Sequence, residues 1–146
     1  MKESRVYLDT SILTKRYVKE DNSDIADNYF HQAQHGETVI SLSEINIGEA
    51  AVVFDKYSRK MGIDARARLQ AMLTELRGLE RSSSVEIYPV SSHIIQNAIK
   101  IVLEQHIYIV DAIQLETFID SGSTIFCSAD KELNATARKL GIETTL

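Results

Sequence analysis

Four acidic residues, each at the edge of an apolar segment, carry the most specific chemistry in this sequence. Asp9 closes the run VYLDTS and Asp130 closes the run IFCSAD. Either one also suits a helix N-cap, a role compatible with ligand binding. Glu49 needs a different argument, because its neighbours on a helix are Ile45, Val52 and Val53, with Gly48 beside it. An unpaired charge next to an apolar face costs several kcal/mol, roughly, so a functional or paired carboxylate is expected there. Glu44 competes for the same role, but Ser41 and Glu44 have the spacing of a capping box, which accounts for Glu44 structurally. Asp111 follows the apolar run IYIV and opens a helix, where backbone N–H groups also point; a solvated helix start is the alternative. Four carboxylates from four segments gather only if a cation neutralises them. Hard oxygen donors favour Mg²⁺ or Mn²⁺ over zinc, and such ions serve phosphodiester hydrolysis by activating water and stabilising the leaving oxygen.

Other candidate motifs are weaker. His31 and His35 have a metal-compatible spacing, but Gln32 stands where a zinc protease needs glutamate, and a solvated helix face explains the pair. Cys127 reads as a small core residue of a strand. A phosphatase with an aspartate nucleophile would carry a second aspartate where Ser11 stands. Lys15, Arg16 and Lys19 follow Asp9, and Ser128 and Lys131 flank Asp130; contacts from such residues would position a phosphate backbone without reading its sequence. Thr10 and Ser11 share that expectation. Lys56, Arg59, Lys60, Arg66, Arg68, Arg77 and Arg81 form a basic set that serves either solubility or an RNA-guiding rim.

The elements that must position these residues follow from periodicity and punctuation. Strands are predicted at Val6–Leu8, Thr38–Ser41, Val85–Val90, Thr124–Cys127 and Glu143–Thr145. Helices are predicted after Thr10, from Ser23 or Asp24 to Gly36, over Ser43–Lys60, from Asp64 onward, and over Ser91–Gln105, Ile109–Gly122 and Asp130–Leu140. Strands alternating with helices mean crossovers and a parallel sheet covered on both faces. Ligands of such sheets bind beyond the carboxyl ends of the strands, where the winding reverses. If the strands before Asp9 and Asp130 are neighbours there, both carboxylates meet in one cleft.

A length of 146 residues suits one domain, taken as residues 1–146. With 44% apolar and 25% charged residues the chain can build a core, which excludes intrinsic disorder. No apolar run approaches a membrane span, and the early polar residues leave no signal-peptide stretch. One cysteine makes a reducing, cytoplasmic setting the expectation. The net charge of −5 argues against a general polyanion-coating protein, but not against a nucleic-acid enzyme whose carboxylates carry metal.

At the four carboxylates the sequence resembles the PIN-domain family of metal-dependent ribonucleases, and within it the VapC-like toxins of toxin–antitoxin pairs. Leu8-Asp9-Thr10-Ser11 followed by Lys15-Arg16-Tyr17-Val18 matches the family's opening motif, and Ser43 to Glu49 its second. Asp111-Ala112-Ile113-Gln114-Leu115 matches the third, and Ser128-Ala129-Asp130 with Ala135, Ala137 and Gly141 the fourth. The match spans residues 6 to 145. Two features depart from the pattern: Glu116 stands where members often have alanine, adding a carboxylate near the site, and the lead-in IYIV is less polar than usual. The resemblance implies a three-layer α/β/α fold with a parallel sheet of about five strands in order 3-2-1-4-5. It implies Mg²⁺ or Mn²⁺ held by Asp9, Glu49, Asp111 and Asp130, an RNA substrate, and inhibition by a small antitoxin protein. The alternative is a weakly active or non-catalytic RNA- or protein-binding module on the same fold. A homodimer is also expected, because Ala50 to Phe54 are apolar at five successive helical positions and one sheet cannot cover them all.

Overall fold

A computed structural model describes residues 4–146; residues 1–3 of the expected domain lie outside the described residues. Strand β1 (Ser4–Leu8) leads into a short helix α1 (Thr10–Leu13) and a 3₁₀ turn (Thr14–Arg16), then α2 (Ser23–Gln34). Strand β2 (Thr38–Ser43) precedes α3 (Glu44–Met61) and α4 (Ala65–Arg81); β3 (Val85–Tyr88) precedes α5 (Ser92–Gln105) and α6 (Ile109–Asp120). Strand β4 (Ile125–Cys127) and α7 (Lys131–Lys139) complete the order. The chain is therefore α/β, and its strands pair in parallel in the order β3-β2-β1-β4.

Alternation along β1 divides the core into two layers. Val6 and Leu8 face one side with Ile40, Leu42 and Cys127, against Ile12, Phe30, Phe54, Met72 and Leu76 from α1 to α4. Tyr7 and Phe126 face the other side, stacked with ring centroids 5.5 Å apart, against Ile94, Ala98, Ala112, Leu115 and Leu133 from α5 to α7. The sheet is thus covered on both faces, as buried parallel strands require.

The fifth strand is the one architectural correction. Glu143–Thr145 contributes only a single bridge, Thr144 beside Phe126, at the expected place next to β4. The segment is three residues long, polar and at the sheet edge, and it joins the sheet through two backbone hydrogen bonds to Phe126. No helix among the described residues is long and apolar enough to cross a membrane.

Candidate metal centre

The winding reverses between β1 and β4. The chain steps from β1 outward to β2 and β3, then crosses back to lay β4 on the free side of β1. Asp9 stands one residue beyond β1, its N–H bonded to Cys127 O at 2.9 Å, and Asp130 lies just beyond β4. Helix α3 supplies Glu49, and the first turn of α6 supplies Asp111. All four line one cavity of about 350 Å³, with Thr10, Ser11, Val52, Val53 and Gln114. Asp111 and Asp130 also border an adjoining cavity of about 240 Å³ that runs toward His106 and Tyr108. A larger cavity of about 460 Å³, lined by Lys131, Asn134 and Arg138 among others, has no aspartate or glutamate among the described residues of its wall. Size alone does not locate the chemistry.

Asp9 is buried and held by three donors. Thr10 N–H reaches its Oδ1 at 2.8 Å, while the Ser11 and Ser128 hydroxyls donate to Oδ2 at 2.8 and 2.7 Å. Each serine also accepts from the loop after β4: Ala129 N–H bonds Ser11 Oγ, and Asp130 N–H bonds Ser128 Oγ, both at 2.9 Å. The two hydroxyls thereby lock the ends of β1 and β4 together around one carboxylate. Asp130 caps α7, accepting from Glu132 N–H and Leu133 N–H. The N-cap and cavity-lining positions coincide at both aspartates.

Half-buried Glu49 accepts from the Thr10 hydroxyl at 2.7 Å. Burial raises its pKa, the Thr10 bond lowers it, and Asp9 raises it again. Asp111 is pushed up to about 6, first by burial and then by the charges of Asp9, Asp130 and Glu49. That pattern is the signature of like charges sharing one site. Among the described residues, no cationic side chain lines the cavity to relieve it.

The oxygen-only donor set fits a hard divalent cation in kind. As the side chains stand, however, no three Asp, Glu, His or Cys residues among those described form a ready group for a metal ion. Asp9, Glu49 and Asp130 are turned instead toward hydroxyl and amide donors of the protein.

Several residues expected at a substrate have partners within the protein. Arg16 forms a two-pronged pair with Glu75, contacts Asp27 and lies over the Phe30 ring, so it braces the 3₁₀ turn against α4 and α2. Ser128 is fully buried, and Ser11 gives its proton to Asp9; both orient that carboxylate. Lys15 Nζ bonds Ser11 O at 2.7 Å, beside the cavity. Lys131 is exposed at the start of α7. Glu116 does not line the carboxylate cavity, and its charge environment is Asp120, His93 and Lys100. Glu44 is exposed, and the capping box forms between Ser43 and Asn46 rather than between Ser41 and Glu44. His31, on α2, and His35, just beyond its end, are exposed, and burial raises the Cys127 thiol to about 11.

Sequence reasoning missed a buried amide relay beneath the cavity. Asn46 Oδ1 accepts from Tyr7 Oη and Ser43 N–H, both at 2.8 Å. Its Nδ2 donates to Thr10 Oγ1 at 2.9 Å and Gln114 Oε1 at 2.7 Å. The polar residue at the third position of α3 was the available signal.

The family model for the PIN domain matches residues 6–139. Among solved structures, PAE2754 from Pyrobaculum aerophilum is similar at 17% identity and a TM-score of 0.67, over 97% of this chain and 83% of that one. VapC20 from Mycobacterium tuberculosis, described as a sarcin-ricin loop cleaving toxin, aligns at 16% identity and 0.64, over 89% and 93%. FitAcB from Neisseria gonorrhoeae aligns at 13% identity and 0.62, over 95% of each chain. No curated protein matches the sequence.

Proposed function

The chain belongs to the PIN-domain family, and on that premise we propose that it is a Mg²⁺- or Mn²⁺-dependent endoribonuclease, the toxin of a toxin–antitoxin pair. The observation that carries the proposal is the convergence of Asp9, Glu49, Asp111 and Asp130 on one cavity that no cationic side chain among the described residues lines. These four would hold the ion. When bound, it would supply activation of water and neutralisation of the leaving oxygen. The protein's own groups prepare the site. Three donors keep Asp9 oriented, and the Thr10 hydroxyl orients Glu49. Asp111, raised to about 6, holds its proton more tightly than a free aspartate, and an arriving cation would displace that proton. The fold shared with a sarcin-ricin loop cleaving toxin supports RNA as substrate, and a small inhibitory protein as partner follows from the resemblance to VapC-like toxins. A homodimer in the cytoplasm completes the proposal.

One observation favours a second reading, a module that binds RNA or protein without cleaving: Asp9, Glu49 and Asp130 are hydrogen-bonded to the protein, and the four carboxylates are not gathered on a point among the described residues. A panel of structured and single-stranded RNAs, incubated with Mn²⁺ or with chelator, separates the two. Internal cleavage only with metal is the expected result. Equal RNA binding with and without metal, and no cleavage, would establish the module instead.

A further inference from the structure

The side-chain amide of Gln114 sits in the wall of the carboxylate cavity, and one backbone donor dictates which way it faces. Ser43 N–H can only donate, so the Asn46 atom 2.8 Å from it is the carbonyl Oδ1, which also accepts from Tyr7 Oη. Asn46 Nδ2 therefore points the other way, toward Thr10 Oγ1 and Gln114. The Gln114 atom that receives it must be an acceptor, Oε1. Gln114 Nε2 is left with no hydrogen-bond partner among the described residues. The residue is only 1% exposed, yet it lines the cavity.

Among the described residues the side-chain atoms both sealed from solvent and unpartnered include Ser41 Oγ and Asn134 Oδ1 but not Gln114 Nε2, so this donor reaches the cavity, where an arriving acceptor can take its hydrogen. The remaining wall residues offer no competing side-chain donor. Asp9, Glu49, Asp111 and Asp130 are acceptors, Val52 and Val53 are apolar, and Thr10 and Ser11 give their protons to Glu49 and Asp9. None of the four carboxylates accepts from Gln114. The same bonds explain why Thr10 points at Glu49: its oxygen accepts from Asn46, so its hydrogen is directed outward.

We propose that Gln114 contacts the substrate, donating Nε2–H to a non-bridging oxygen of the scissile phosphodiester, with Asn46 locking the amide so that this donor faces the cavity. The inference rests on the nuclease reading above. A phosphodiester brings acceptor oxygens whose negative charge must be stabilised during attack, and a preoriented donor contributes at that moment. Lysine or arginine at this position would pair with the carboxylates and compete with a cation. A neutral amide does neither.

The test uses the full chain, Mn²⁺, and an RNA oligonucleotide that the wild type cleaves. The RNA is prepared with an ordinary scissile phosphate or with either non-bridging oxygen replaced by sulfur, a poorer hydrogen-bond acceptor. Gln114→Glu keeps an oxygen toward Asn46 but removes the donor; Gln114→Met removes both. Both variants are expected to lose about 100-fold in kcat/KM, and Gln114→Met, which adds no charge to the acidic wall, should keep a cooperative thermal transition. The rate penalty for sulfur at one of the two positions should be present in wild type and collapse in both variants. Variants that cleave within about threefold of wild type, or that lose rate while keeping the full sulfur penalty, overturn the Gln114 assignment and leave the nuclease reading standing. Absence of RNA cleavage by the wild type overturns that reading, and this inference with it.

Discussion

Asp111 gathers the electrostatic strain of the site. Its carboxyl is raised from 3.8 to about 6, so the folded protein binds that proton more tightly than the unfolded chain does. In metal-free buffer, stability therefore falls as pH rises between about 4 and 6, and the penalty persists above that window. Asp111→Asn removes the penalty. At neutral pH the variant should be more stable than wild type by about 1 kcal/mol, the shift being discounted for partial exposure. The advantage should vanish at about pH 3, as denaturant melts at both values will show. A second contrast separates two glutamates on α3: Glu49→Gln should lower RNA cleavage by orders of magnitude, whereas Glu44→Gln, at an exposed position outside the capping box, should leave it unchanged. Loss of activity in Glu44→Gln alone would mean that the wrong carboxylate faces the ion. The acidic residues were legible in the sequence because a charge after an apolar strand or beside a helix's apolar face is anomalous. Gln114 and Asn46 were not, because a lone amide at a core position carries no such anomaly until its partners are in view.

At the scale of elements, the start of α3 shows why spacing was only partly informative. Two serines precede the helix, and the motif was read from Ser41; the chain starts its helix after Ser43, so Asn46 occupies the box position and reaches into the buried relay. Asn46→Ala should destabilise the protein by about 3 kcal/mol, because Tyr7 Oη, Ser43 N–H and Gln114 Oε1 lose a partner together. Equilibrium urea unfolding checks this, and a loss below about 0.5 kcal/mol would mean that water replaces the amide. The 3₁₀ turn after Asp9 makes a similar point. Its basic pair looked like phosphate contacts, yet Arg16 is committed to Glu75 on α4 and Asp27 on α2, partners too distant in sequence to be paired by periodicity.

For the whole molecule, the strand and helix order and the reversal point were readable because each short apolar run sits between helices with recognisable caps. Coverage of the helices was not. The apolar run on α3 was expected to demand a second surface, but Ala50 and Phe54 are buried, and α3 packs on α4 through Met72 and Leu76. Val52 remains 68% exposed, at the cavity wall. The uncovered apolar side chains include Ile99 and Leu103, four residues apart on one face of α5. The homodimer should form there: light scattering across a dilution series should give a dimer, and Leu103→Asp a monomer. A wild-type monomer at every concentration would contradict that assignment. The central claim, that four carboxylates make one cation site, is tested most directly by calorimetric titration of Mn²⁺ into the wild type and Asp111→Asn near pH 6, where Asp111 is partly protonated. Saturable binding with proton release is expected in the wild type and neither in the variant. Identical isotherms for the two proteins would contradict it.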